Sequence, residues 1–274
     1  MGKSAGPSTQ TRLPLSQVTA LELLAGVHFA GTDGFPSVKR RVEMALELSK
    51  GRVLEDPRIL ICRRVLHSPF PSDQVAPAAL TISKYLDVVR RASTLDQLLR
   101  RGVPYRSGFI QIGELSVFDD LMSGVKRQWV AAVEAMATET YPGWRALFQQ
   151  SGRRRPAKIR KELQPLSAWQ AQRVTFVKGL LDWLHAKIDP NVVGEMCTRL
   201  DAVLEFAIFV TREFLLGNYS VEKHDSDVFD QFQLQYLATD EFVIVSGDSD
   251  LLRRTQRSPQ ASRIMSFDQF LHTL

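Results

Sequence analysis

Apolar residues recur at helical spacing along most of this chain. Val18, Leu21, Leu24, Ala25 and His28 fall on one face, which predicts a helix from Gln17 to Phe29 with Ser16 as its N-cap. Gly31-Thr32-Asp33-Gly34-Phe35-Pro36 reads as a loop. A second helix starts after Ser37, carries Val38, Val42, Ala45, Leu46 and Leu48, and stops at Gly51. Residues 52–76 are mixed, with Pro57, Pro69 and Pro71 interrupting any period. Helical patterns follow at 77–91, 94–101 and 125–139, whereas Pro104 to Ser123 shows no readable period. Ser167-Ala168-Trp169-Gln170 is a capping box ahead of Val174, Val177, Leu180, Leu181 and Leu184. After Asp189-Pro190 the pattern predicts one long helix from Val192 to Leu216, ended by Gly217-Asn218. The end of the chain alternates: helix 227–238, strand 242–246, helix 249–256, strand 262–265, helix 267–272.

This alternation predicts an α/β architecture. The expected organisation is a disordered polar tail over 1–12, an α/β core built from 13–76 and 218–274, and a helical elaboration over 77–217. The 274 residues suffice for a sizeable core. No run approaches the ~18 apolar residues a membrane span requires. The most apolar stretch, Leu204 to Leu216, is broken by Thr211-Arg212-Glu213. The polar residues Met1 to Thr11 have no apolar segment of the secretory kind. Cys62 and Cys197 have no CxxC spacing and read as free thiols, which favours a reducing, cytoplasmic setting.

Charge adds one further feature. The formal net charge is +5 and the isoelectric point about 9.3. Arg153, Arg154, Arg155, Lys158, Arg160 and Lys161 fall in one short run, and they are candidate contacts to a nucleic-acid backbone. The same run also reads as a solvated loop.

Acidic residues gather near the other end. Asp227 and Asp230 stand three apart at a helix start and so share a face. Asp248 and Asp250 follow the apolar strand Phe242-Val243-Ile244-Val245. In open α/β sheets, ligands bind outside the carboxyl ends of the strands. Carboxylates there, without Cys or His beside them, suit a hard cation such as Mg²⁺ or Mn²⁺. Each also has a plain reading: Asp227 and Asp250 as N-caps, Asp248 as a turn residue. Glu22, among leucines in the first helix, lies either on a polar stripe or in a crevice.

The segment Ser246-Gly247-Asp248-Ser249-Asp250-Leu251 resembles the Thr-x-Asp-x-x-Phe element of the PIN-domain nucleases, with Ser for Thr and Leu for Phe. Asp230 stands where that family carries a helix-borne Asp, and Val18 to Gly26 resembles its early helix with Glu22. Ser266 to Leu271 is similar to its closing helix. The resemblance covers about 225–271 and, more weakly, 15–28, and it is absent from the middle. It implies a PIN-like parallel sheet flanked by helices, with a large helical insertion. It also implies a metal-dependent endoribonuclease that cuts single-stranded RNA. In that reading Glu22, Asp230 and Asp248 are catalytic and hold Mg²⁺ or Mn²⁺, with Asp227 and Asp250 in support. The metal would activate a water and stabilise an in-line phosphoryl transition state.

The chain departs from the family in one respect. Its opening strand and that strand's Asp have no counterpart in Met1 to Leu15. Either the chain begins late or the site lacks a ligand. The alternative is therefore a catalytically inactive PIN-like module that binds RNA or a protein partner, or that pairs with a second copy of itself. The five His (28, 67, 185, 224, 272) are scattered, and neither a GxGxxG nor a GxxxxGK[ST] motif occurs.

Overall fold

The computed structural model describes residues 14–73, 78–106, 108–143, 145–146 and 166–272, apart from the side chains of 28, 29, 112 and 166–168. The basic run at Arg153–Lys161 and the expected tail over 1–12 lie outside these residues. The described chain is mostly helical and divides into two compact units. One comprises 1–55, 77–119 and 271–274, the other 56–76 and 120–270.

In the first unit, α1 (Gln17–Phe29) is capped by Ser16, whose Oγ accepts from the Thr19 N–H at 3.0 Å. Its Val18, Ala20, Leu21, Leu24, Ala25 and Val27 are buried, whereas Glu22 is exposed. The stretch expected as a loop is instead the first part of α2 (Gly31–Ser49). Gly31 at φ 60° turns the chain between the two helices, a conformation that glycine adopts without steric cost. Pro36, the sixth residue of α2, lies inside the helix and, having no N–H, removes one intrahelical hydrogen bond. α2 packs on α1, and both pack on α4 (Ala79–Arg91).

The unreadable stretch after 102 forms an antiparallel hairpin. β1 (Val103–Tyr105) pairs with β2 (Gly108–Ile110), Val103 opposite Ile110. Gly102 is required there. Its φ is 65°, and a Cβ would stand 2.6 Å from the Ile110 carbonyl oxygen.

The second unit contains α3 (Pro57–Arg64), all but the first turn of α5 (Ser116–Thr140), α6 (Leu166–Trp183), α7 (Pro190–Arg199), α8 (Asp201–Leu216), α9 (Asp227–Leu234), α10 (Ser249–Thr255) and most of α11 (Phe267–Leu271). α8 is the central helix and contacts α6, α7, α9 and α10. Its Ala202, Val203, Leu204, Phe206, Ala207 and Val210 are buried. Each large apolar side chain removed from water contributes about 1.5–3 kcal/mol. Gly217, at φ 76°, ends the helix. Its N–H donates to Phe214 O and the Asn218 N–H to Glu213 O, each at 2.9 Å.

The single long helix expected over 192–216 is two helices, broken at Leu200 (φ −102°, ψ 18°). The side-chain amide of Gln260 plugs the break. Its Oε1 accepts from the Ala202 N–H at 3.0 Å, and its Nε2 donates to Arg199 O at 2.9 Å and Leu237 O at 3.0 Å. Backbone groups orphaned by the break are thereby satisfied.

The expected PIN-like parallel sheet flanked by helices does not form. Among the described residues there are two sheets of two strands each. β3 (Ile244–Val245) pairs in parallel with β4 (Ile264–Met265), and Leu15 makes an isolated parallel bridge to Val53. The alternation of elements over 227–271 is present, but strand pairing covers two residues per strand. Val243, expected inside the strand, is half exposed. Most apolar residues of the chain recur at helical spacing, and they bury against other helices rather than against a sheet.

Candidate functional site

The acidic segments meet where α9 and α10 begin. α9 starts after a turn at 221–226, and α10 starts directly beyond β3. Asp227, in the first turn of α9, is buried. Its Oδ2 accepts from the Tyr219 hydroxyl at 2.7 Å and is ion-paired with Arg254 Nη1 of α10. The Arg254 side chain is 6% exposed. Its guanidinium carbon stands 5.5 Å from the Phe206 ring centroid, 5.8 Å from that of Phe209 and 5.7 Å from that of Tyr219. Cation–π attraction is strongest where water is excluded, so this ring-lined position suits a guanidinium. Burial raises the Tyr219 phenol well above its ordinary range, and the neighbouring Asp227 carboxylate raises it further. His224 stacks on the Tyr219 ring at 4.9 Å.

Asp248 is exposed and is the N-cap of α10, with Oδ1 accepting from the Asp250 N–H at 2.7 Å and the Leu251 N–H at 3.3 Å. Its own N–H donates to Ser246 Oγ at 3.0 Å. Asp250 lies in the first turn of α10, paired with Arg253 at 3.1 Å and near Arg254 Nη2 at 3.7 Å. Asp230 is half-buried on α9 and engaged with neighbours. Glu22 is an exposed, engaged residue of the other compact unit. Among the described residues no group of three or more His, Cys, Asp or Glu is arranged to hold a metal ion.

Beside this clasp the second unit carries an open cleft of about 1010 Å³, lined by α6, α8 and α10 with the residues just beyond it. Five arginines, Arg173, Arg212, Arg253, Arg254 and Arg257, face three carboxylates, Asp201, Glu205 and Glu213. The charge is unevenly spread. Arg173 is held between Asp201 and Glu205, bonding Glu205 Oε1 at 2.6 Å. Of the other four, Arg212 stands in the C-terminal half of α8, Arg253 and Arg254 on α10, and Arg257 in the turn just beyond it. Three of their guanidiniums surround Phe209: Arg212 at 5.6 Å, Arg253 at 5.3 Å and Arg254 at 5.8 Å. Sequence reading missed this cleft because its arginines come from three separated segments. The one local signal is the Arg253-Arg254 pair, three and four residues after Asp250.

Comparison of the chain with protein-family models, curated proteins and solved structures finds no match. No helix among the described residues is long and apolar enough to cross a membrane.

Proposed function

We propose that the chain is a binding module that holds single-stranded RNA without cutting it. The observation that carries this reading is the Asp227–Arg254 pair. A carboxylate already neutralised by a buried guanidinium is a poor ligand for a divalent cation, because a metal must displace the arginine and leave it buried with only the more distant, exposed Asp250. Asp248 is engaged through Oδ1 with two backbone N–H groups of α10 as its N-cap. The acidic segment thus works as a clasp between α9 and α10. The net charge of +5 and the arginine-lined cleft favour a polyanionic partner. The free thiols of Cys62 and Cys197 suit a cytoplasmic setting.

The test is to incubate the purified chain with a labelled single-stranded RNA in Mn²⁺ and to follow binding and strand integrity together. The expected result is a salt-sensitive complex with intact RNA. Cleavage by the wild type that is lost in Asp248→Asn would replace this reading with the metal-dependent endoribonuclease, in which Glu22, Asp230 and Asp248 hold Mg²⁺ or Mn²⁺.

A further inference from the structure

We infer that the cationic end of the α6/α8/α10 cleft is a phosphate-binding site for a single-stranded polynucleotide, with Arg212, Arg253 and Arg257 as the phosphate contacts around Phe209. The inference rests on the RNA-binding reading and gives it a location.

The argument is one of available donors. Arg254 is locked on Asp227 and contributes charge but no free donor fork. Arg257 is exposed and, among the described residues, makes no hydrogen bond or ion pair. Among the described residues Arg253 forms an ion pair only with Asp250, both side chains being 55% exposed, and exposed pairs of this kind exchange readily. Asp250 keeps Arg254 Nη2 at 3.7 Å when Arg253 leaves. Arg212 is held by Glu213 at 3.1 Å, and Glu213 also accepts from Asn218 Nδ2 at 2.9 Å and so keeps a partner. Three guanidiniums can therefore turn to an anion without stranding a buried carboxylate. Arginine forks match phosphate oxygens in bidentate geometry. The half-buried Phe209 ring, beside Arg212 and Arg253, offers an aromatic surface, and single-strand binding combines a cationic track with aromatic faces for the bases.

The experiment is a fluorescence-anisotropy titration of a labelled single-stranded RNA with the full chain over a series of salt concentrations. Arg257→Glu is compared with Lys178→Glu, which makes the same charge change at an exposed α6 residue outside the cleft lining. Arg257→Glu is expected to weaken binding and to flatten the slope of log K against log salt by about 0.7, the value of one lost single-strand phosphate contact. Lys178→Glu should leave the slope unchanged. Phe209→Leu should weaken binding with the slope unchanged. Inorganic pyrophosphate should compete with the RNA on the wild type. If RNA binds and the two charge reversals behave alike, the site is wrong while the RNA reading stands. If the wild type binds pyrophosphate through Arg257 but not RNA, the phosphate site stands and the RNA reading fails. Binding of neither overturns both.

Discussion

Arg254 and Asp227, twenty-seven residues apart, close an ion pair at the start of α9 that is buried on both sides. The guanidinium is ringed by Phe206, Phe209 and Tyr219, which shield it from water. Among the described residues, removing Arg254 leaves Asp227 a buried charge held by the Tyr219 hydroxyl alone, and removing Asp227 leaves the buried Arg254 only the exposed Asp250 at 3.7 Å. Arg254→Met and Asp227→Leu should each lower unfolding stability by about 3–5 kcal/mol. The double substitution should recover much of that loss, since two apolar side chains replace a pair whose desolvation is itself costly. Chemical denaturation of the four proteins gives the coupling directly. Additive losses would show that the pair does not act as a unit.

Tyr219 gives the same network a pH signature. Its folded pKa is raised by burial and by Asp227, above the ordinary value near 10. A raised folded pKa means that the native state resists losing the proton. The associated stability is present below about pH 10 and is lost as pH climbs from there towards the folded pKa. Tyr85 behaves alike, pushed up to about 12 by burial and by its hydrogen bond to Glu114. Ultraviolet titration of phenolate should show late-ionising components that belong to Tyr219 and Tyr85. Tyr219→Phe should remove one late component and cost about 1.5–3 kcal/mol, as expected for a hydrogen bond to a charged group. A Tyr219 that titrates with the exposed phenols would contradict the buried pair.

Much of the second unit is legible in the chain because local signals decide it. Asp189-Pro190 opens α7, and Gly217-Asn218 closes α8. The cap of α10 is Asp248, not the Asp250 that the sequence offers for that role. The order of elements over 227–271 follows from the change of apolar period alone. The sheet is not legible, because an apolar run such as Phe242–Val245 specifies an extended segment but not the number of its neighbours. The break at Leu200 was hidden for a different reason. Nothing within 192–216 forbids a continuous helix, and the group that satisfies the break, Gln260, lies sixty residues on. The roles of Asp227 and Arg254 were hidden in the same way. An acidic residue in a helix's first turn reads alike whether its partner is the helix dipole, a cation or a distant arginine.

The Gln260 plug predicts an amide-specific effect. Gln260→Leu removes bonds to Ala202 N, Arg199 O and Leu237 O; Leu237 O keeps Arg263 Nη1 at 2.9 Å, and the loss of the Ala202 N and Arg199 O partners should cost about 1–3 kcal/mol. Gln260→Glu keeps the acceptor for Ala202 N but sets a carboxylate against two carbonyl oxygens. Its folded pKa should therefore be raised, so the variant should regain stability as pH falls through that value. Thermal unfolding at neutral and acidic pH separates the two substitutions. Equal stability of Gln260→Glu and wild type at neutral pH would show that the two carbonyl contacts contribute nothing.

The commitment of Asp227 to Arg254 and of Asp248 to the α10 N-terminus also predicts how the chain responds to divalent cations. A ligand that binds only the folded state stabilises it by RT ln(1 + [L]/Kd), about 2.7 kcal/mol at a hundred times Kd. A pre-formed carboxylate site would show this as a rise in melting temperature with Mn²⁺, and Asp248→Asn would abolish the rise. The expectation here is the opposite: millimolar Mn²⁺ or Mg²⁺ leaves the wild-type melting temperature unchanged. Asp248→Asn should change stability only slightly, because Asn is nearly as good an N-cap as Asp, whereas Asp248→Ala should cost about 0.5–2 kcal/mol. Inorganic pyrophosphate should raise the melting temperature through the arginine cleft, and Arg257→Glu should remove that rise. A Mn²⁺-dependent rise that disappears in Asp248→Asn would reverse these assignments and return the acidic segment to metal binding.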